Sequence, residues 1–118
     1  MIAHLAVLFA VIEGNYEIIT GYEDESRKQW YTGTAEISKH GDIYHMSWDY
    51  VMNGIEYQDI GMGLRDQNVI SFVFKSMPGQ ADHYEGLQMY NIKGDILEGS
   101  YIMFDSKDIG FEKIKRTN

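Results

Sequence analysis

Three dipeptides, Gly41-Asp42, Asn53-Gly54 and Gly94-Asp95, constrain this 118-residue chain more than any other feature of it. Each is a two-residue hairpin signal. Gly-Asp suits a type II′ turn, with glycine at the first central position, and Asn-Gly suits type I′, which needs positive φ twice. Between the turns run stretches of alternating apolar and polar residues, and no stretch beyond the N-terminus sustains a 3.6-residue apolar period. The strands predicted are 14–22, 29–39, 43–52, 55–65, 68–76, 84–93, 96–104 and 109–116, with loops at 23–28 and 77–83. No linker interrupts them. Residues 1–118 therefore read as one domain, large enough to bury a core without disulfide or metal.

The signals also recur. Tyr31-x-Gly33, Gly41-Asp42-Ile43 and Ser47-Trp48 return as Tyr84-x-Gly86, Gly94-Asp95-Ile96 and Ser100-Tyr101 at one spacing of 53 residues, which Asn15 and Asn68 also keep. Asp59-Ile60-Gly61 returns as Asp108-Ile109-Gly110 at a spacing of 49. Two four-strand pseudo-repeats are expected, the second with a shorter last connection. Counting outward from the turns pairs Ile37 with Met46, Ala35 with Trp48, Gly33 with Tyr50, Tyr50 with Tyr57 and Trp48 with Asp59. A four-residue connection around Asp66-Gln67 sets Gly61 against Phe72 and Asp59 against Phe74. One face then stays apolar from strand to strand, and its Gly and Ala sit across from large rings, as a tightly curved barrel requires. The fold expected is all-β: an eight-stranded antiparallel up-and-down barrel, whose closure removes exposed sheet edges.

Ten Lys and Arg against 18 Asp and Glu give a formal net charge of −8, which makes nucleic acid and anionic membrane poor partners. There is no cysteine, so disulfide, thiol nucleophile and thiolate metal site are all excluded. A cysteine-free chain fits a reducing compartment, which puts the cytoplasm slightly ahead of export. The first twelve residues, MIAHLAVLFAVI, are too short to span a bilayer as a helix, and they lack the basic n-region and clear cleavage site of a signal peptide. They read as a strand or short helix packed on the barrel, or as an apolar subunit contact, ahead of a trimmed signal.

With these strands in place the chain resembles the avidin and lipocalin-type barrels, the calycin group, from about Glu13 to Arg116. Gly14-Asn15-Tyr16 opens the first strand where lipocalins show Gly-x-Trp. Arg116 stands where lipocalins place a basic residue near the last strand, and Gly99-Ser100-Tyr101 is similar to avidin strand segments. The resemblance is architectural and implies a barrel; it carries over neither biotin nor a lipocalin ligand.

Chemistry is sparser. His45, Ser47 and Asp49 have triad composition, but same-face neighbours on a strand lie about 6.8 Å apart, and Ser47 stands between base and acid, so a solvated outer face is expected. His4, His40, His45 and His83 show no ligand spacing. His83 beside Asp82 and Glu85 is a polar loop, and no metal or cofactor is expected. Gly61-Met62-Gly63 precedes no helix, so it is not a phosphate loop.

The informative set is polar and inward: Asp59, Gln88 and Glu112 among Tyr31, Tyr50, Tyr57, Tyr84, Tyr90 and Tyr101. A buried carboxylate is costly unless it is paired or hydrogen-bonded. One reading is an aromatic pocket with convergent polar groups, its ligand contacts being Tyr31, Trp48, Tyr50, Asp59, Gln88, Tyr101 and Glu112. A wall shared by Trp48 and Asp59 favours a flat apolar ligand with a donor or cationic edge. The other is a filled lumen in which tyrosine hydroxyls satisfy the acids and Arg116 pairs with Glu112.

Function is therefore ranked, not fixed. A binding module for a small apolar or aromatic ligand stands first. A protein-interaction, inhibitor or assembly domain stands second, motivated by the acidic exterior and by outward Ile60, Met62, Leu64, Leu87, Met89, Ile102 and Phe104. An enzyme using Asp59 or Glu112 as general base stands last, because no motif supports it, and no catalytic residue is assigned. The same outward residues, with the N-terminal segment, point to a homo-oligomer, a twofold dimer being commonest.

Overall fold

The computed structural model describes residues 11–24, 26 and 29–118. It contains eight strands: β1 (Gly14–Tyr22), β2 (Tyr31–His40), β3 (Ile43–Met52), β4 (Ile55–Asp66), β5 (Val69–Ser76), β6 (Glu85–Lys93), β7 (Ile96–Met103) and β8 (Ile109–Arg116). Each pairs antiparallel with the next, and β1 pairs with β8 to close the barrel. The expected all-β, up-and-down architecture is present. Among the described residues no helix is long and apolar enough to cross a membrane. Most of the apolar N-terminal segment lies outside the described residues. Ile12 is described, and it is fully buried in the core.

Turn chemistry sets the register. Asn53 and Gly54 have φ of 55° and 77°, as type I′ demands, whereas in the two Gly-Asp turns φ is positive only at Gly41 and Gly94, both 63°. Ala35 accordingly pairs with Trp48, Gly33 with Tyr50, and Trp48 with Asp59. The β4–β5 register differs from the sequence expectation by two residues. Gly61 faces Phe74, Gly63 faces Phe72 and Asp59 faces Ser76. The cause is a tight connection: Asp66 pairs with Val69, leaving only Gln67 and Asn68 in the turn, with Gln67 at a φ of 56°. Because the slip is an even number, every side chain keeps its face.

The two ends of the barrel differ. The tight turns 41–42, 67–68 and 94–95 lie at one end, which is plugged by apolar side chains including Ile12, Ile37, Ile70, Leu97 and Ile114. Here the Tyr16 hydroxyl donates to the Ile12 carbonyl (2.7 Å), and the Arg116 guanidinium lies over the Tyr16 ring, 6.0 Å from its centroid, and donates to the Val11 carbonyl. The opposite end carries the β1–β2 connection and the longer loops 77–84 and 104–108. Rings on the inner wall are seated on glycines: a Cβ on Gly61 would stand 3.1 Å from the Trp48 ring, and one on Gly110 would overlap Tyr101. Without those glycines the rings could not all lie inside so narrow a barrel.

Candidate functional site

Every second residue of the strands near the open end points inward, and on β3, β4, β7 and β8 that alternation delivers Trp48 and Tyr50, Asp59, Tyr101, and Glu112. Together with Tyr31 and Gln88 they line one cavity, joined by Phe74 and Met103. All seven residues singled out from the sequence thus surround a single space. The cavity measures only about 20 Å³, room for one water-sized group. The rest of the lumen is packed with side chains.

Two hydrogen-bonded clusters border this space. The deeper one centres on Glu112, which is 3% exposed. Its Oε1 accepts from the Tyr31 hydroxyl (2.8 Å); its Oε2 accepts from the Trp48 indole N–H (2.9 Å) and from the Tyr90 hydroxyl. Complete burial raises the carboxyl above its ordinary pKa, while the three donors pull it back down. The expected pairing of Glu112 with Arg116 does not occur. Arg116 is drawn to Tyr16 and the Val11 carbonyl at the closed end, and tyrosine hydroxyls take its place.

The outer cluster centres on Asp59, 6% exposed. Tyr84 donates to its Oδ1 and Tyr50 to its Oδ2 (3.1 Å), and the two hydroxyls lie 2.8 Å apart. A carboxylate with two phenols supplies two protons for three contacts. The neutral acid supplies three, one for each, when one phenol turns to accept the acid's proton and donates to the other hydroxyl. Burial, opposed by the hydrogen bonds from Tyr84 and Tyr50 and reinforced by the charges of Glu112 and Glu23, pushes Asp59 up to about 7. Burial likewise drives the Tyr31, Tyr50, Tyr84, Tyr90 and Tyr101 phenols upward, so they stay protonated donors.

Sequence reasoning missed Gln80. Its Nε2 donates to the Tyr84 hydroxyl (3.3 Å) and its Oε1 accepts from the Gln58 main-chain N–H (2.5 Å), fastening the 77–83 loop beside Asp59. A loop residue carries no alternation signal, so nothing in the pattern could place it. Tyr57, Tyr84 and Met103 are only partly buried and pack against the core at the mouth. Tyr57 stacks on Tyr50, with ring centroids 5.3 Å apart.

Elsewhere, His45, Ser47 and Asp49 lie on the outer face of β3. Asp49 accepts from Gln58 Nε2 (2.8 Å), and His45 packs edge-on to His40, so no catalytic chain forms. No group of three His, Asp or Glu residues suited to a metal occurs among the described residues. Outside, Met62, Leu64, Met89, Ile102 and Phe104 are exposed as expected, whereas Ile60 and Leu87 are half-covered by neighbouring strands.

No family model and no curated protein matches this sequence. Among solved structures, a de novo designed fluorescence-activating β-barrel is similar at a TM-score of 0.71 and 16% identity, over 89% of this chain and 93% of that one. Apo lipid binding protein 8 of Caenorhabditis elegans is similar at a TM-score of 0.50 and 9% identity, over 93% of this chain and 99% of that one. At such identities the likeness is one of fold, a closed eight-stranded barrel.

Proposed function

We propose that the protein is a binding module that takes a small apolar or aromatic ligand into the open end of its barrel. The observation that carries this reading is the composition of the inner cavity. Two carboxyl groups and the rings of Trp48, Tyr31, Tyr50 and Tyr101 converge on it, and among the described residues no lysine or arginine pairs with either acid. A lumen built only for stability has little use for two buried acids that are hydrogen-bonded but lack a cationic partner, since apolar side chains would fill it at lower cost. The names of the two similar barrels, one a lipid binding protein and one designed to activate fluorescence, point the same way. With only 20 Å³ inside, a ligand inserts one small group and rests its body on Tyr57, Tyr84 and Met103. The test is a thermal-shift screen of small aromatic compounds on wild type and on Trp48→Ala. Compounds that stabilise wild type and not the variant support the reading. A screen without hits, together with a ring-packed crystal structure, overturns it.

A second reading concerns the outside of the barrel. Met62, Val73, Leu87, Ile102 and Ile109 are successive cross-strand partners, forming an outward apolar row over β4 to β8. It is flanked by Lys75 paired in register with Glu85 and by Lys113 paired with Glu98. Such a balanced rim lets a twofold copy set Lys against Glu despite the net charge of −8. The occupant we assign to this face is a second copy of the chain.

A further inference from the structure

Once Asp59 has lost its proton, the two carboxyls and the Gln88 amide that line the cavity offer it acceptors, while the Tyr101 hydroxyl is spent on the Tyr22 carbonyl (3.2 Å). Asp59 and Glu112 are carboxyls, and Gln88 spends its Nε2 on the main-chain carbonyls of Met89 (2.9 Å), Gly99 (3.3 Å) and Ser100 (3.3 Å), which leaves Oε1 as the amide's remaining capacity. The Tyr31 and Tyr50 hydroxyls are committed to Glu112 and Asp59, and the indole N–H to Glu112. Aromatic faces complete the wall, and these too attract positive charge. Three acceptor groups around a space the size of one water match a group that is water-sized, positively charged and carries three donors. A primary ammonium has that description; a trimethylammonium is too large, and an alcohol brings one donor.

Resting on the binding reading above, we propose that the cavity receives the ammonium head of a primary amine, whose apolar chain lies along the ring-lined mouth, in exchange for a proton. No covalent bond changes. The amine enters as R–NH3⁺, the carboxylic acid form of Asp59 becomes carboxylate, and its proton passes to solvent. The site is thereby left with one ion pair where it held a neutral acid. The groups whose hydrogen bonds or charges act on Asp59 are Tyr50 from β3, Tyr84 just before β6, Tyr101 from β7, Glu112 from β8 and Glu23 after β1. The first three are phenols that stay protonated, and the last two add negative potential that favours the incoming cation. Asp59 stands near the midpoint of its titration at neutral pH, so exchange there needs little driving force.

The test is calorimetric titration of the full chain at pH 7 with 2-phenylethylamine, 2-phenylethanol and trimethyl(2-phenylethyl)ammonium, repeated in two buffers of different ionisation enthalpy. The expected order is amine tighter than alcohol by at least about tenfold, as one charge-assisted hydrogen bond provides, with the trimethylated cation weakest. Binding of the amine should release protons, and its affinity should fall between pH 8 and pH 5 while that of the alcohol holds. Asp59→Asn should lose the amine preference and the proton release, with circular dichroism confirming its fold. The wild-type pH series stands even if that variant does not fold. Alcohol binding as tightly as amine, or trimethylated cation as tightly as primary, overturns the proposal while leaving the binding module intact. Failure of all three compounds, joined by an empty thermal-shift screen, removes both.

Discussion

Trp48 and Glu112, on strands β3 and β8, are joined across the barrel interior by an indole N–H to carboxylate hydrogen bond of 2.9 Å. The same carboxylate collects Tyr31 and Tyr90, so one side chain from the last strand ties down three others. Glu112→Ala would take the acceptor from the buried Tyr31 and Tyr90 hydroxyls and leave the Trp48 N–H only the Tyr90 oxygen, 3.1 Å away. It is expected to cost about 3 kcal/mol or more in urea unfolding. Glu112→Gln keeps the volume and one carbonyl acceptor, and the phenols can turn to accept, so its cost should stay near 1–2 kcal/mol. Equal losses for the two variants would contradict this role.

Asp59 gives stability a pH dependence of unusual sign for a carboxyl. Its folded-state value of about 7 lies above the unfolded value near 4, so the folded chain holds the proton longer. Stability is greatest below the unfolded value, falls as pH rises towards 7, and levels off above it. Glu112, also raised, acts in the same direction. Chemical denaturation between pH 4 and 8 should show a decline on the order of a few kcal/mol, reduced in Asp59→Asn. Stability rising with pH across this window would refute the assignment of a neutral buried acid.

Gly61 is where ring packing and site meet. An alanine there would put its Cβ 2.9 Å from the Val73 carbonyl and 3.1 Å from the Trp48 ring, driving the indole towards the cavity. Gly61→Ala is expected to lose about 1–3 kcal/mol and to weaken any lumen ligand. Gly41→Ala is a contrast, because nothing stands near that Cβ and only the positive φ is strained. It should lower stability and leave affinity unchanged.

The outer apolar row predicts association. Light scattering should show a dimer at micromolar concentration, and Val73→Glu, at a site already 57% exposed, should give a monomer of unchanged secondary structure. A wild-type monomer at high concentration would dismiss the second-copy reading without touching the lumen.

Much of this fold is legible in the sequence, for a physical reason. A two-residue turn fixes every pair in its hairpin, and the alternation of side chains then decides what is inside, so Ala35, Trp48 and Asp59 could be aligned from Gly41-Asp42 and Asn53-Gly54 alone. The β4–β5 turn escaped because Gln67 gives no glycine-like warning of its positive φ. The partner of Glu112 escaped because Arg116 is near it in sequence, whereas Tyr31, Trp48 and Tyr90 are brought near only by closure. How far rings fill a lumen is a matter of rotamers and volumes, which periodicity does not carry. Gln88 pairs with Tyr101 and Ala35 with Trp48, positions that the expected four-strand repeat makes equivalent. Superposing β1–β4 on β5–β8 would test the repeat itself.

The claim that the open end of the barrel is a binding site is tested most directly at Trp48. The chain has two tryptophans, and Trp30 lies outside the lumen, 46% exposed, so Trp30→Phe leaves Trp48 as the sole indole reporter. Titrating that protein with a compound that stabilises it should shift Trp48 emission saturably, at the concentration where the melting temperature rises. A stabilising compound that leaves Trp48 emission unchanged would place its site elsewhere and contradict the account.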